Sequence, residues 1–154
     1  GKSPLVPIIL LDEPNGTYWD SLLNFFREQL HNAGYIHAND FNLLKLVKSP
    51  AAAMQEVLGF YRNFHSARWL GNDYLLRLNQ PLTDQALAQL PSTFGSLCKE
   101  KGFTQEEKGI AGDDAELSSL TGLRFAFNGR DQGTLRSLID FINQAENLKS
   151  RGTA

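Results

Sequence analysis

The chain has 154 residues, of which 42% are hydrophobic and 21% charged, a balance that fits one medium domain or two small ones and argues against disorder. A net charge of −2, with Lys and Arg scattered along the chain, gives no electrostatic footprint for nucleic acid. No apolar run approaches the ~20 residues of a membrane span, nothing resembles a signal peptide, and the lone Cys98 has no internal disulfide partner, so a cytoplasmic setting is expected. The chain starts at Gly1 rather than Met, which reads as a processed, tagged or excised product.

Residues 5–11 are apolar in succession, as expected of a strand covered on both faces in a parallel sheet, with Pro7 expected early in the strand or where no partner needs its N–H, because proline cannot donate to a ladder. After the Asn15-Gly16 turn, Thr17 is expected to cap a helix with Asp20 three residues on, and Trp19, Leu22, Leu23, Phe26, Leu30 and Ala33 follow helical spacing up to a stop at Gly34. Residues 43–47 read as a second strand. Ser49-Pro50 then reads as an N-cap followed by a first-turn proline, opening a helix whose stripe is Met54, Val57, Leu58, Tyr61 and Phe64. The order is β-α-β-α. Two strands alone would leave a backbone edge and an apolar face bare, so the missing part of a larger sheet or a second copy is expected to cover them.

Beyond residue 65 the pattern changes. SARWLGNDYLLRL, residues 66–78, reads as a hairpin turning at Gly71-Asn72. Residues 82–101 read as mostly helical, capped by Thr83, with Leu87, Leu90, Phe94 and Leu97 inward, Pro91 as a kink or break, and Gly102 as the stop. A short strand at 103–107, a Gly/Asp-rich loop near 109–116, a strand carrying Leu123, Phe125 and Phe127, and a helix carrying Leu135, Leu138, Ile139 and Ile142 complete a small α+β unit.

The run at residues 6–36, VPIILLDEPNGTYWDSLLNFFREQLHNAGYI, and LLKLVKSPAAAMQEVL at 43–58 carry a resemblance. Through residues 7–12, Gly16, Tyr18, Trp19, Leu22, Leu23, residues 34–36 and residues 49–53, the chain resembles the C-terminal third of the Lonely-Guy type proteins. These are Rossmann-like nucleoside 5′-monophosphate phosphoribohydrolases, long labelled lysine decarboxylases. That family's Pro-Gly-Gly-x-Gly-Thr-x-x-Glu loop and upstream arginine are absent from the 154 residues, so the resemblance transfers no catalytic residue. Nothing in the sequence supports decarboxylase chemistry. RFAFNGRDQGTLRSLIDFIN, residues 124–143, resembles the strand, glycine turn and helix of ACT-type regulatory domains through Asp131, Gly133, Thr134 and Leu135, with Gln132 where that family usually has proline.

The resemblances imply an α/β chain: the back half of a Rossmann-like parallel sheet (βαβα) over residues 1–65, then a small α+β, ACT or ferredoxin-like domain over 66–154. They imply a C-terminal portion of a nucleotide N-glycosidase that is inactive alone and carries a regulatory or oligomerisation tail; the alternative is a non-catalytic small-molecule or assembly module. Candidate ligand-binding residues are Asp12, just past a strand's carboxyl end where α/β sheets bind ligands, with Tyr18 and Trp19, and then Arg130, Asp131, Gly133 and Thr134. Each has a plainer role beside it: a turn cap for Asp12, core or dimer contact for Tyr18 and Trp19, a capped turn for the second group. The ligand expected is a nucleotide, a small anion or an amino acid. His31 and His37, six apart across Gly34, do not make a metal site, and neither metal nor cofactor is expected.

Overall fold

The computed structural model describes residues 4–100, 102–106 and 115–149. Two parallel strands, β1 (Ile8–Leu11) and β2 (Leu44–Val47), align Ile8 with Leu44 and Leu11 with Val47. They are joined through α1 (Tyr18–Phe25), which continues as a π-helical segment Phe26–His31, and a 3-10 turn Ala38–Leu43; α2 (Pro50–Phe60) follows. The β-α-β-α order therefore holds. Pairing starts at Ile8, one residue after Pro7, which has no N–H to give. Ser49 caps α2 as its sequence suggests, its hydroxyl accepting the Ala52 N–H at 3.1 Å. Gly34 ends the helical stretch at φ 78°, a conformation that favours glycine.

Three expectations in this half need correction. Thr17 occupies the position before α1 but makes no side-chain cap. The first strand is not covered on both faces, since Ile8 and Leu11 are 43% and 44% exposed. The α2 stripe is turned outward: Met54, Leu58 and Tyr61 are exposed, and Phe64 belongs to the next strand. What turns the helix is its contact with the last helix of the chain, where Arg136 pairs with Glu56 and lies over the Phe60 ring.

The second sheet has four antiparallel strands, β3 (Phe64–Leu70), β4 (Asp73–Leu78), β5 (Thr104–Glu106) and β6 (Thr121–Phe125), in the order β3-β4-β6-β5. Strands β3 (Phe64–Leu70) and β4 (Asp73–Leu78) form the expected hairpin, with Gly71 at φ 63° and a bulge between Phe64 and Ser66. Helix α3 (Asp84–Phe94) is capped by Thr83, whose Oγ1 accepts the Ala86 N–H at 3.1 Å. It runs undivided through Pro91 but stops earlier than its apolar spacing suggests. A 3-10 turn Gly95–Leu97 follows, and then Cys98 pairs with Phe127 and draws the backbone out of the helix. Strand β5 (Thr104–Glu106) pairs with β6 (Thr121–Phe125), which begins two residues before Leu123 and leaves Phe127 to the Cys98 bridge. Lys101, Glu107 and loop residues 109–114 lie outside the described residues. Helix α4 (Gln132–Ile142) closes the unit, with Leu135, Leu138, Ile139 and Ile142 buried as their spacing requires.

The core is distributed unevenly. Between residues 4 and 59 only Leu10 and Leu23 are buried hydrophobics, whereas β4, β6, α3 and α4 contribute to one continuous cluster that also takes in Phe60 and Phe64. Those two aromatics flank the link between the sheets, so the link is anchored in the core of the second.

Helix α4 is also the splint between the halves. Its first turn meets the 38–43 turn through Asn39 Nδ2 donating to Thr134 Oγ1 at 2.8 Å and Asn42 Nδ2 donating to Ser137 Oγ at 2.9 Å. Its middle carries Arg136, bonded through Nε to Asp140 at 2.9 Å and through Nη2 to Glu56. At its end, Asn143 Oδ1 accepts the N–H groups of Asn63 and Phe64 at 2.7 and 2.9 Å, while Nδ2 donates to the Phe60 carbonyl.

Candidate functional site

The candidate residues gather in two places. At the carboxyl end of the parallel strands, Lys48 Nζ donates to the Gly16 carbonyl at 2.6 Å and pairs with Asp12 at 3.3 Å and Asp20 at 3.5 Å. The Asp12 side chain is only 9% exposed, and its Oδ1 also accepts the Glu13 N–H. A Cβ at Gly16 would collide with that carboxylate, so glycine is what lets the turn close over it. Asp12 thus neutralises a lysine and folds the strand-to-helix turn. Trp19 belongs to the same fastening, its indole N–H donating to the Leu11 carbonyl at 2.8 Å. Tyr18 packs edge-on against Trp19 and is otherwise the most open of the three, at 73% exposure.

The second place is the N-terminus of α4. Asn128 Oδ1 accepts the N–H groups of Arg130 and Asp131, Gly129 adopts φ 76°, and Asp131 Oδ1 accepts the Thr134 N–H at 2.9 Å. Asp131 is therefore the helix cap. Gly133 is buried and is not the left-handed residue of the turn; Gly129 is. The space that Gly133 leaves is filled by the Asn39 backbone, with which a Cβ would collide, and Thr134 is buried against the Asn39 side chain.

Arg130 and Asp131 instead face an open cleft of about 450 Å³, shared with His37, Ala38, Asn39 and Asp40 of the first half. Its size falls in the range of small-ligand sites. Asp40 Oδ2 accepts the His37 N–H at 2.8 Å, so Asp40 and Asp131 each spend one carboxylate oxygen on a backbone group and keep the other. An exposed guanidinium beside two half-engaged carboxylates suits a small ligand that carries both charges. The structure does not bring Asp12, Tyr18 and Trp19 to this cleft.

Sequence reasoning overlooked the first-half wall of the cleft and the buried Arg136. The signals were present: a His-x-x-Asp step opening the 38–43 turn, and an Arg136–Asp140 pair four apart on a helix. Cys98 is half-buried, with burial pushing its thiol above the ordinary value and a contact to the Gly102 carbonyl opposing that. Among the described residues no helix is long and apolar enough to cross a membrane, and no three His, Cys, Asp or Glu side chains are grouped to hold a metal ion.

No family model, no curated protein and no solved structure matches the chain.

Proposed function

We propose that the chain is the C-terminal portion of a Lonely-Guy-like nucleoside 5′-monophosphate phosphoribohydrolase, supplying the last parallel strands of its nucleotide-binding sheet and a tail that braces them. The observation that carries this reading is the unfinished parallel sheet: two strands in β-α-β-α order whose first 59 residues bury only Leu10 and Leu23 among the described positions. Parallel strands are stable when covered on both faces and flanked by neighbours, which this half lacks. The tail agrees with a ferredoxin-like reading. The succession β4-α3-β5-β6-α4 follows the β-α-β-β-α part of that fold, and β3, arriving as a hairpin from the N-terminal side, takes the edge beside β4 that the last strand would occupy.

On this reading the hydrolytic loop lies outside the 154 residues, and the chain alone releases no ribose 5-phosphate from nucleoside monophosphates. The test is to sequence the gene upstream of the Gly1 codon and assay the longer product. A Pro-Gly-Gly-x-Gly-Thr-x-x-Glu loop, with hydrolysis lost when residues 1–154 are removed, supports the proposal; absence of the loop, or turnover by the 154-residue chain itself, overturns it.

A second reading rests on the junction cleft: a non-catalytic module that binds a small charged molecule beside Arg130. Calorimetry with amino acids and nucleoside monophosphates tests it. Binding abolished by Arg130→Ala supports this use of the cleft, and no heat with any of them ends it.

A further inference from the structure

The junction cleft takes one wall from each half of the chain. Residues 37–40 form the first and lead through the 38–43 turn directly into β2; Arg130 and Asp131 form the second and lead into α4. Both walls carry the same two kinds of group. On the first, Asp40 keeps one carboxylate oxygen to spare, and a His37 ring nitrogen accepts the Asp40 N–H, so the neutral ring holds its hydrogen on the other nitrogen, as a donor. On the second, Asp131 keeps one oxygen and Arg130 supplies an exposed guanidinium. An anionic group in the cleft therefore has a donor on each side, and an ammonium has a carboxylate on each side. Behind the cleft the contact is polar: the turn is held on α4 by the Asn39–Thr134 and Asn42–Ser137 side-chain bonds and by the close approach of the Asn39 backbone to Gly133, and no residue of 38–43 is buried. Segments with few buried apolar contacts are those that open locally at small cost.

We infer that the cleft is a clamp: a small charged ligand in it ties the 38–43 turn to α4, and through the turn holds β2 and the parallel pair on the second sheet. This rests on the reading of the cleft as a binding site and adds what occupancy does there. Either ligand charge makes the bridge, an anion between His37 and Arg130 or an ammonium between Asp40 and Asp131. The bridge needs the turn seated, because an undocked turn carries His37 and Asp40 away from the α4 wall. The ligand therefore binds the docked form better and shifts the equilibrium toward it by that difference. The coupling is reciprocal, so a substitution that populates the undocked form weakens binding without touching the ligand. Gly133 and Asn42 are the handles, since both hold the turn and neither lines the cleft. The effect reaches beyond the turn because Leu43 runs straight into β2, which pairs along its whole length with β1.

Calorimetry and hydrogen exchange on the 154-residue chain test the inference, with glycine, L-glutamate and adenosine 5′-monophosphate as probes that offer ammonium, carboxylate and phosphate groups. The expected result is that a probe whose binding is lost in Arg130→Ala also raises exchange protection at the amides of residues 38–47. The same probe is expected to bind on the order of fivefold more weakly to Asn42→Ala and more weakly still to Gly133→Ala, and unchanged to Gln85→Ala on exposed α3. Should Gly133→Ala fail to fold, Asn42→Ala and the protection of the parent chain decide the matter. Binding that needs Arg130 but neither protects residues 38–47 nor responds to Asn42→Ala overturns the clamp and leaves the cleft a binding site. No binding by any probe, or binding indifferent to Arg130→Ala, overturns both.

Discussion

Arg136 and Glu56 pair across the junction of the two sheets, the guanidinium 1% exposed and the carboxylate 26% exposed. Asp140 holds the same guanidinium through Nε, and Phe60 lies beneath it, so a buried cation is the pivot between α2 and α4. Removing one partner of a buried pair strands the other, at about 3–5 kcal/mol where both are fully enclosed. Glu56 is partly solvated and Asp140 remains, so Glu56→Ala is expected to destabilise by roughly 1–2 kcal/mol in urea unfolding. Arg136→Ala is expected to lose roughly 3 kcal/mol, because the packed stem goes too. Equal, near-zero effects would mean that the halves are not held through this pair.

Asn143 predicts a larger effect for its size. It is 6% exposed and satisfies three backbone groups at the link, the N–H of Asn63 and of Phe64 and the carbonyl of Phe60. Each buried group left without a partner costs about 1–3 kcal/mol. Asn143→Ala should therefore lose roughly 3 kcal/mol or more, and Asn143→Asp, which keeps the acceptor but sets a buried carboxylate oxygen against the Phe60 carbonyl, should lose at least as much. Hydrogen exchange at the Asn63 and Phe64 amides reads the local consequence: both should lose protection in Asn143→Ala.

Two glycines should respond in opposite directions to alanine. Gly133 has the Asn39 backbone where a Cβ would go, so Gly133→Ala must push the 38–43 turn off α4 and destabilise. Gly59, inside α2, has no atom within 4 Å of that position and is not among the positive-φ glycines. Gly59→Ala should stabilise by roughly 0.4–1 kcal/mol, through helix propensity and a less free unfolded chain. Thermal melts of the two variants check the signs; a stabilised Gly133→Ala would mean that the close approach is not needed.

What the sequence revealed follows from which forces are local. Caps act within three residues, so Ser49 and Thr83 were readable, as were the Gly71 turn and the Gly34 stop. The α4 stripe was readable because its apolar face meets the core directly. The α2 stripe had the same spacing and the opposite fate, since periodicity shows that a helix has an apolar face but not that its own chain covers it. Helix α3 ended early because of a pairing between Cys98 and Phe127, residues 29 positions apart, which no local signal announces. The turn at 128–134 was found, but its meaning was not: the close approach at Gly133 comes from Asn39, 94 residues away, and that distance also hid the first-half wall of the cleft.

Alkaline pH should loosen the second sheet through Tyr74. This side chain is 6% exposed on central strand β4, with the rings of Trp69, Phe125 and Phe127 around it, and burial raises its phenol above the ordinary value of 10.0. In the unfolded chain the phenol ionises near 10, while in the fold it keeps its proton to higher pH, so above about 10 the unfolded state binds fewer protons. Stability is thus unaffected by this group below that pH and falls as pH rises beyond it, by at most about 1.4 kcal/mol per pH unit until the folded phenol also titrates. The informative measurement is the difference between the parent chain and Tyr74→Phe in urea unfolding at pH 8 to 11, which isolates the contribution of this one phenol. The parent should lose more stability than the variant above pH 10; parallel curves would show that Tyr74 is no more enclosed in the fold than in the unfolded chain. Cys98, raised from 9.0 by burial, adds a loss of the same sign that begins about one pH unit lower, and Cys98→Ser separates the two.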